Sequence, residues 1–472
     1  MFPLTPTVRN EIRGIVALAA PVVFVQAGLM LQGVVDTMML GRVSQAALAA
    51  GALGNTVAWG VLGGTMGVLY SLDPLVAQDF GAGRRRRVVG HLSRGLVLGV
   101  VLSLVAGLAN WLLAENLDFF RQPAEIVPLS RAYLIALIPG LLPFLWSIAL
   151  RQTLQAMSVV RPAAIAIVVA NVFNVIANYG LVFGRFGLPR LEVLGSALAT
   201  SASRWVMFFT LLFFGMPALR ARIGGLWAGM RSAMHGASLW AMVRLGAPIA
   251  LHQASEMWVF GTVGLMMGAL GTLEFAAHQV SLQLASMAFM VPLGIGAAAA
   301  TRVGNAVGRE DEAGTHRSAW LSLLLGGGVM IVSAFAFSLF PRLLGRAFTP
   351  DAEVLDMVVL LLPIAAMFQL VDGVQVVAAG ILRGMADTAR PAFLALLGFW
   401  AFGLPLAWVL AFPGGLGPRG LWFGLSAGLG AVALLLVLRI RGLLRRPLRE
   451  LRLALEEEAE EVQEVVREIG ST

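Results

Sequence analysis

The chain has 472 residues, of which 58% are hydrophobic and 13% are charged, and its mean hydropathy is +0.83. Soluble domains carry about 25% charged residues, so this composition excludes a soluble protein and indicates an integral membrane protein. The formal net charge is +8, and all 34 basic residues are arginines. They lie in short loops between spans and do not form a stripe with interleaved aromatic residues, so we expect no nucleic-acid partner. The absence of cysteine excludes disulfides, thiol catalysis and thiolate metal sites.

Apolar segments between charged or Pro/Gly-rich breaks predict twelve transmembrane helices, because about 20 apolar residues cross a bilayer. The first segment is long and is not followed by a cleavage site of small residues, so we expect an uncleaved first helix. The predicted spans are 15–40, 46–72, 95–114, 128–149, 162–183, 193–215, 244–268, 275–300, 318–340, 354–380, 391–412 and 420–438.

The two halves of the sequence are repeats. A constant shift aligns Leu18–Gly81 with Leu245–Gly308 without a gap, so that Pro21 falls on Pro248 and Gly67 on Gly294. Each half holds six spans, an even number, so both halves enter the membrane from the same face. The predicted fold is therefore an all-α integral membrane protein with two six-helix lobes related by a pseudo-twofold axis along the membrane normal.

The distribution of arginine predicts the orientation. With the N-terminus in the cytoplasm, 25 arginines lie on the cytoplasmic side, 8 lie outside, and Arg204 lies within span six. This bias predicts that both termini are cytoplasmic. The predicted organisation is an N-lobe at 1–215, a cytoplasmic linker at 216–243, a C-lobe at 244–440 and a cytoplasmic amphipathic tail at 441–472. We expect the linker to lie on the inner leaflet, and the tail to be a solvated helix that contacts anionic lipid or, alternatively, a partner protein.

Three acids within predicted spans are the first candidates for chemistry. Asp36 lies late in span one, Glu256 in the first half of span seven and Asp372 in the middle of span ten. An acid at the centre of a membrane helix costs about 2.5–3.5 kcal/mol and tends to mark an ion pathway. We expect no arginine in the helices of Glu256 and Asp372 to neutralise them, so both should serve a function.

Other polar and aromatic residues of the second half lie near these acids, on the same helix faces in spans seven and ten and also in span eight. Polar groups are expensive in lipid, so we expect them to face one another across a cleft, where methionine and aromatic side chains accept substrates of many shapes. For His278 a packed, satisfied histidine is an equal alternative. The substrate-cleft candidates are Gln253, Met257, Phe260, His278, Gln279, Gln283, Phe368, Gln369 and Gln375, and His252 lies one turn before Glu256.

The matching cluster of the first half joins Asp36 to polar residues of spans five and six. Asn171, Asn174 and Asn178 are spaced by three and four residues, which places their amides on one helix face. Thr200 of span six completes the group. For Asn171 a helix–helix packing role is the stronger alternative.

Five sequence motifs resemble those of one transporter family. They are VDTMMLGRVSQAALAAGALG, NVFNVIANYGLVFG, LGSALATSASRW, FAAHQVSLQLASMAFMVPLGIGAAAATRVGNAVG and ILRGMADTARP. In this order they resemble the multidrug and toxic compound extrusion (MATE) family, specifically its NorM-type bacterial branch. The resemblance implies two six-helix lobes that form a V-shaped cleft, and export of organic cations and drugs driven by inward Na⁺ or H⁺.

The resemblance also implies roles for individual residues. Glu256 and Asp372 match the family's cation-site acids in the C-lobe, and Na⁺ is a possible ligand there. The N-lobe site matches Asp36, Asn174, Asn178 and Thr200. Two positions depart from the family pattern: Asn178 stands where relatives can carry an acid, which argues against a proton-only mechanism in the N-lobe, and Phe368 stands where a tyrosine is sometimes found.

These observations predict a secondary active antiporter that exports lipophilic organic cations by alternating access, with one coupling ion and one drug competing for the same carboxylates. We expect no cofactor besides the coupling ion, no enzymatic activity, a monomer with lipid and lipophilic cations as partners, and a location in the bacterial inner membrane. A lipid-linked oligosaccharide flippase of the same superfold would favour arginines in the cleft. An intramembrane enzyme would need paired acids, such as DxxxD on one helix.

Overall fold

The computed structural model describes residues 6–120, 123–224 and 236–451. These residues form α-helices joined by short turns, with no strand among them, which confirms the all-α prediction. Predictions for residues 225–235 of the linker and 452–472 of the tail lie outside the described residues. The helices of the first half are α1 Pro6–Gly41, α2 Gln45–Leu69, α3 Leu72–Gly81, α4 Arg85–Glu115, α5 Val127–Leu137, α6 Leu141–Ala156, α7 Arg161–Phe183 and α8 Glu192–Ile223.

The second half begins with two of the longest helices and contains one segment of π-helix, Leu397–Gly403. Short 3₁₀ turns occur at Leu117–Phe120, Ile138–Gly140 and Leu448–Leu451. The α-helices are α9 Gly236–Leu270, α10 Thr272–Gly308, α11 Glu312–Leu339, α12 Pro341–Arg346, α13 Ala352–Gly384, α14 Ala389–Leu396, α15 Leu404–Ala411 and α16 Pro418–Leu443.

Eleven helical segments among the described residues are long and apolar enough to cross a membrane. They coincide with eleven of the twelve predicted spans. The remaining predicted span falls on α9, whose 35 residues are also long enough at about 1.5 Å per residue. It carries the polar residues His252, Gln253 and Glu256 within its apolar sequence.

Several helices extend beyond the predicted spans. Span two was predicted to end at residue 72, but α3 continues to Gly81 and residues Leu72–Asp79 are buried. Helix α8 runs to Ile223 and α9 begins at Gly236, so both enter the predicted linker. A hydropathy window detects only the apolar part of a helix, and it misses the turns that are stabilised by packing against other helices.

Polar side chains and glycines mark several helix ends. The Ser44 hydroxyl accepts a hydrogen bond from the Ala47 amide at 3.0 Å, and Asp311 accepts one from the Gly314 amide at 2.8 Å. These contacts satisfy backbone donors that have no partner within the helix. Helix α7 ends at Phe183 and is capped by Gly184, whose φ of 69° lies in the left-handed region that favours glycine.

The chain divides into two compact units. The N-terminal unit comprises the described residues of Phe24–Ala250, and the C-terminal unit comprises those of Met1–Val23 and Leu251–Ala454. Helices α1 and α9 therefore each contribute to both units. The first half of α1 packs in the C-terminal unit, although the sequence places it in the predicted N-lobe of 1–215, and the first half of α9 packs in the N-terminal unit.

The same close helix contact occurs in both units, which reflects the duplication. In the N-terminal unit, a Cβ atom built on Gly67 would lie 2.3 Å from the Cα of Ala250. In the C-terminal unit, a Cβ atom on Gly294 would lie 2.4 Å from a methyl group of Val23. The repeat alignment pairs Gly67 with Gly294, and the same shift pairs Val23 with Ala250. Glycine at these positions lets two helices approach closely.

Candidate cation-binding sites

The predicted polar cluster of the first half is assembled in the N-terminal unit. Asp36 is 8% exposed, and its Oδ1 accepts a hydrogen bond from Asn178 Nδ2 at 2.7 Å. Its Oδ2 accepts one from Thr200 Oγ1 at 2.8 Å. Asn174 Nδ2 lies 3.4 Å from the same threonine oxygen. The four residues come from α1, α7 and α8, so the three helices meet at this carboxylate.

The amide oxygens of this cluster add ligand capacity. Asn174 and Asn178 are fully buried, and their Oδ1 atoms have no hydrogen-bond partner within the described residues. With the Asp36 carboxylate they supply oxygen atoms only, which suits a small hard cation or a proton. Asn171, the third asparagine of the row, instead donates to the Gly28 backbone carbonyl at 2.9 Å and joins α7 to α1.

Two further residues lie within electrostatic range of Asp36. One is Tyr133 of α5, which is 2% exposed, and the other is Arg204 of α8, which is 7% exposed. The Arg204 guanidinium carbon lies 4.9 Å from the ring centre of Phe144, a cation–π contact. Asp36 thus receives hydrogen bonds from an amide and a hydroxyl, with one buried positive charge nearby. Sequence reasoning did not single out Tyr133, because a lone tyrosine in an apolar segment carries no distinctive signal.

The two acids of the second half lie together in the C-terminal unit. Asp372 is 5% exposed and Glu256 is half-buried, and the two carboxyl groups are close enough for their charges to interact. The Oδ1 atom of Asp372 has no hydrogen-bond partner within the described part of the chain. This pair of like charges on α9 and α13 is the feature that a bound cation would stabilise most.

The expectation that the helices of these acids contain no arginine was wrong in one respect. Helix α9 includes Arg244 and helix α13 includes Arg383, because both helices extend further than their apolar cores. Each arginine lies several helical turns from the acid on its own helix. The acids therefore have no arginine within the neighbouring turns of their own helices.

Hydrogen bonds surround the acid pair within one helical turn. Gln375 Nε2 lies 3.0 Å from His252 Nε2, which connects α13 to α9. Ser333 Oγ of α11 donates to Gln369 Oε1 at 2.7 Å. Trp400 Nε1, within the π-helical segment, donates to Ser255 Oγ at 2.9 Å. The π-helix changes the helical register at this tryptophan, a local distortion often found at functional sites.

An aromatic row continues from the acid pair into the core of the C-terminal unit. The rings of Phe260 and Phe368 contact edge to face, with centroids 5.8 Å apart. Trp422 contacts Phe368 at 5.6 Å and His278 at 5.5 Å. Phe260 follows Glu256 by four residues, and Phe368 precedes Asp372 by four, so the row begins one turn from each acid.

The predicted cleft residues fall into two groups. Met257 is 42% exposed and Gln279 is exposed, while Gln253, Phe260 and Gln283 are half-buried. The other four are buried, which gives them protein neighbours instead of an open surface in this structure. The buried residues are His278, Phe368, Gln369 and Gln375.

Two buried ionic clusters were not anticipated from the sequence. In the C-terminal unit, Glu11 of α1 accepts two hydrogen bonds of 2.6 Å from Arg302 and one of 2.6 Å from Ser318. In the N-terminal unit, Asp79 Oδ2 lies 2.7 Å from His91 Nε2. The partners in the first cluster come from opposite halves of the chain, so no local spacing could reveal them.

Long apolar helices that carry a pair of interacting acids are typical of a membrane transport protein. The family model MatE matches residues 21–180 and 248–409, and its two matches begin at Pro21 and Pro248, which the repeat alignment pairs. The chain belongs to the MatE family. It is a transporter of the NorM type and not an enzyme, as the resemblance implied.

Curated relatives and solved structures agree with this assignment. The chain is 36% identical to a probable multidrug resistance protein NorM of Mesorhizobium japonicum, over 91% of this chain and 94% of that protein. It is also 36% identical to the multidrug resistance protein NorM of Burkholderia vietnamiensis, over 89% and 92%. The fold is similar to the eukaryotic MATE transporter AtDTX14 (TM-score 0.83, 23% identity, 94% of this chain and 100% of that chain).

A second solved structure has the same fold but is described as having a different pocket polarity. It is a MOP superfamily transporter from Pyrococcus furiosus, with a TM-score of 0.81, 18% identity and coverage of 96% and 99%. It is described as having a binding pocket of reversed polarity that suggests a different function. The substrate of this chain must therefore be argued from its own polar residues.

Proposed function

We propose that this protein is a multidrug efflux antiporter that exports lipophilic organic cations in exchange for Na⁺ or H⁺, by alternating access, from a bacterial inner membrane with both termini in the cytoplasm. The observation that carries the proposal is the pair Glu256 and Asp372: two interacting carboxyl groups on membrane helices, with hydrogen-bonding neighbours His252 and Gln375 that are not acids. Such a pair attracts positive ligands and disfavours negative ones.

Competition for these carboxylates is sufficient to couple the two fluxes. When a coupling cation occupies the pair, a cationic drug loses its counter-charge and is released. A neutralised site costs less to bury than a charged one, so cation binding favours the closed state. Reversing the steps on the other side of the membrane completes the cycle, and no covalent chemistry is required.

The N-terminal cluster at Asp36 is the second candidate ion site. Its carboxylate accepts hydrogen bonds from Asn178 and Thr200, and two unpaired asparagine oxygens lie in the same cluster of described residues. We assign this cluster to the coupling ion and not to the drug, because all of its ligands are short side chains in a buried space.

A lipid-linked oligosaccharide flippase is the main alternative within this fold. Its substrate carries pyrophosphate, which arginine pairs recognise through bidentate hydrogen bonds. The charged side chains of the two clusters are three acids and one arginine, Arg204, and this arginine stacks on Phe144. This balance favours cationic substrates over anionic ones.

The test is efflux of ethidium from proteoliposomes with a Na⁺ gradient and a pH gradient imposed separately. We expect one gradient or both to drive efflux by the parent protein. Asp36→Asn, Glu256→Gln and Asp372→Asn should each reduce gradient-driven efflux at least about 10-fold, the loss of one charged interaction. Gradient-driven efflux that survives in all three variants would exclude the mechanism, and transport of a lipid-linked pyrophosphate by the parent would support the flippase.

A further inference from the structure

The amide of Gln375 is held in a defined orientation beside the acid pair. Gln375 is 1% exposed, and its Nε2 lies 3.0 Å from His252 Nε2, while its Oε1 has no hydrogen-bond partner among the residues described. On α13 it follows Asp372 by three residues, and on α9 His252 precedes Glu256 by four. The contact between amide and imidazole therefore lies one turn from both carboxyl groups.

The imidazole determines which end of the amide remains available. When His252 Nε2 accepts a hydrogen bond, its ring proton must reside on Nδ1, and the partner must be the NH₂ group of the amide. The side-chain nitrogen of Gln375 then donates its hydrogen bond to His252. Its oxygen must point away from the ring and remains free to accept.

Two buried oxygen atoms on the same face of α13 then lack partners within the described ranges: Gln375 Oε1 and Asp372 Oδ1. A buried acceptor without a partner is unfavourable, so two together favour a bound ligand. Both atoms are acceptors, so the ligand must be a cation or a donor. A protonated Asp372 has a single O–H donor, which can pair with either Gln375 Oε1 or the neighbouring Glu256 carboxylate, whereas a metal cation binds the oxygens of all three side chains.

We propose that Gln375 Oε1 is a ligand of Na⁺, together with the carboxylates of Asp372 and Glu256, and that His252 is the positioning residue that turns this oxygen toward the ion. The inference deepens the proposed function, because it identifies ligands for the coupling ion at the acid pair. It also assigns Gln375, predicted from the sequence as a substrate-cleft residue, to the ion site instead. The burial of Gln375 supports this assignment.

Thermal unfolding of the purified full-length protein in detergent tests this directly, with NaCl replaced by KCl at constant ionic strength. A ligand that binds only the folded state raises Tm, and the stabilisation grows with the logarithm of the ratio of ligand concentration to Kd. We expect Na⁺ to raise the Tm of the parent protein. Gln375→Met removes the oxygen at similar length, and it should weaken the apparent Na⁺ affinity at least about 10-fold, or about 1.4 kcal/mol. Gln375→Glu keeps an oxygen and should retain binding.

A second pair of variants separates positioning from packing. His252→Leu removes the acceptor and frees the amide, so it should weaken Na⁺ binding to the same extent as Gln375→Met. His252→Gln restores an acceptor oxygen for Gln375 Nε2 and should recover most of the affinity. The matched control is Gln152→Met, which removes another buried amide, 4% exposed, in the N-terminal unit and should leave the Na⁺ response unchanged.

The outcomes distinguish this inference from the proposed function. A parent Tm that does not respond to Na⁺, or equal Na⁺ affinity in the parent and Gln375→Met, overturns the ligand assignment even if ethidium efflux depends on the acids. Equal losses in His252→Leu and His252→Gln overturn the positioning role. If Na⁺ binding follows the predicted order but no dye is exported, the ligand assignment stands and the export function fails.

Discussion

The buried ion pair at the start of α1 gives a quantitative prediction for stability. Glu11 accepts three hydrogen bonds of 2.6 Å, two from Arg302 and one from Ser318. Its side chain is 8% exposed and that of Arg302 is 29% exposed. Breaking a fully buried ion pair costs about 3–5 kcal/mol of stability. Arg302 is partly exposed and the hydrogen bond from Ser318 remains, so we expect Arg302→Met to lower the free energy of unfolding by about 2–4 kcal/mol.

A double-mutant cycle measures this interaction. The assay is thermal unfolding in detergent, followed by tryptophan fluorescence, of Arg302→Met, Glu11→Gln and the double variant. We expect Arg302→Met to be the least stable, because it leaves a buried carboxylate without its main partner. The double variant should recover at least about 1 kcal/mol. The control is Arg342→Met, which breaks an exposed ion pair with Asp356 and should change stability by less than about 0.5 kcal/mol.

Two outcomes would refute this reasoning. Additive losses in the double variant would show that Glu11 and Arg302 do not interact across the C-terminal unit. Equal losses in Arg302→Met and Arg342→Met would show that burial of the pair contributes nothing to its energy.

Two further substitutions test the packing of each unit, both read as Tm in the same detergent. Gly67→Ala should cost about 1–3 kcal/mol, because the new Cβ would lie 2.3 Å from the Ala250 backbone. The control Gly264→Ala has no neighbour within 4 Å among the described residues, so it should be neutral or stabilising. Equal effects of the two substitutions would contradict the close helix contact. Ser255→Ala removes the acceptor of Trp400 Nε1 and should cost about 1 kcal/mol with a change in tryptophan emission, and an unchanged spectrum would show that this hydrogen bond does not form.

The helices and the duplication were predictable because they depend on composition and chain order. Apolar length locates a membrane helix, and a constant shift reveals a repeat without any knowledge of packing. The helix ends were less predictable. Helix α3 is fully buried as far as Asp79, yet it contains two aspartates and a glutamine that lower its hydropathy. The assignment of the first half of α1 to the C-terminal unit depends on contacts with distant segments, which the sequence does not encode locally.

The candidate ion sites were partly predictable. Three asparagines spaced by three and four residues must share a helix face, and the structure brings two of them, Asn174 and Asn178, to the cluster of Asp36 and Thr200. The third, Asn171, lies on the same face but reaches the backbone of α1. Periodicity identifies a face, but it does not identify which helix covers each position along it.

The second-half residues show the same limit more strongly. The sequence placed eight polar or aromatic residues and one methionine near the acids, but it did not separate the residues exposed to a cleft from those buried in the core. Buried Gln375 contacts His252 across two helices, and buried His278 packs against Trp422. Such pairings depend on helix rotation and interhelical distance. A sequence-based expectation of drug contact therefore includes residues whose role is to orient the site.

The central claim is that a coupling ion and an organic cation compete for Glu256 and Asp372. The most direct measurement is equilibrium binding of ethidium to the purified protein, by fluorescence anisotropy, at increasing Na⁺ and at decreasing pH under constant ionic strength. We predict that the apparent Kd of ethidium rises linearly with the concentration of the coupling ion, and that this dependence is lost in Glu256→Gln and Asp372→Asn. An ethidium affinity that is independent of both ions in the parent protein would contradict it.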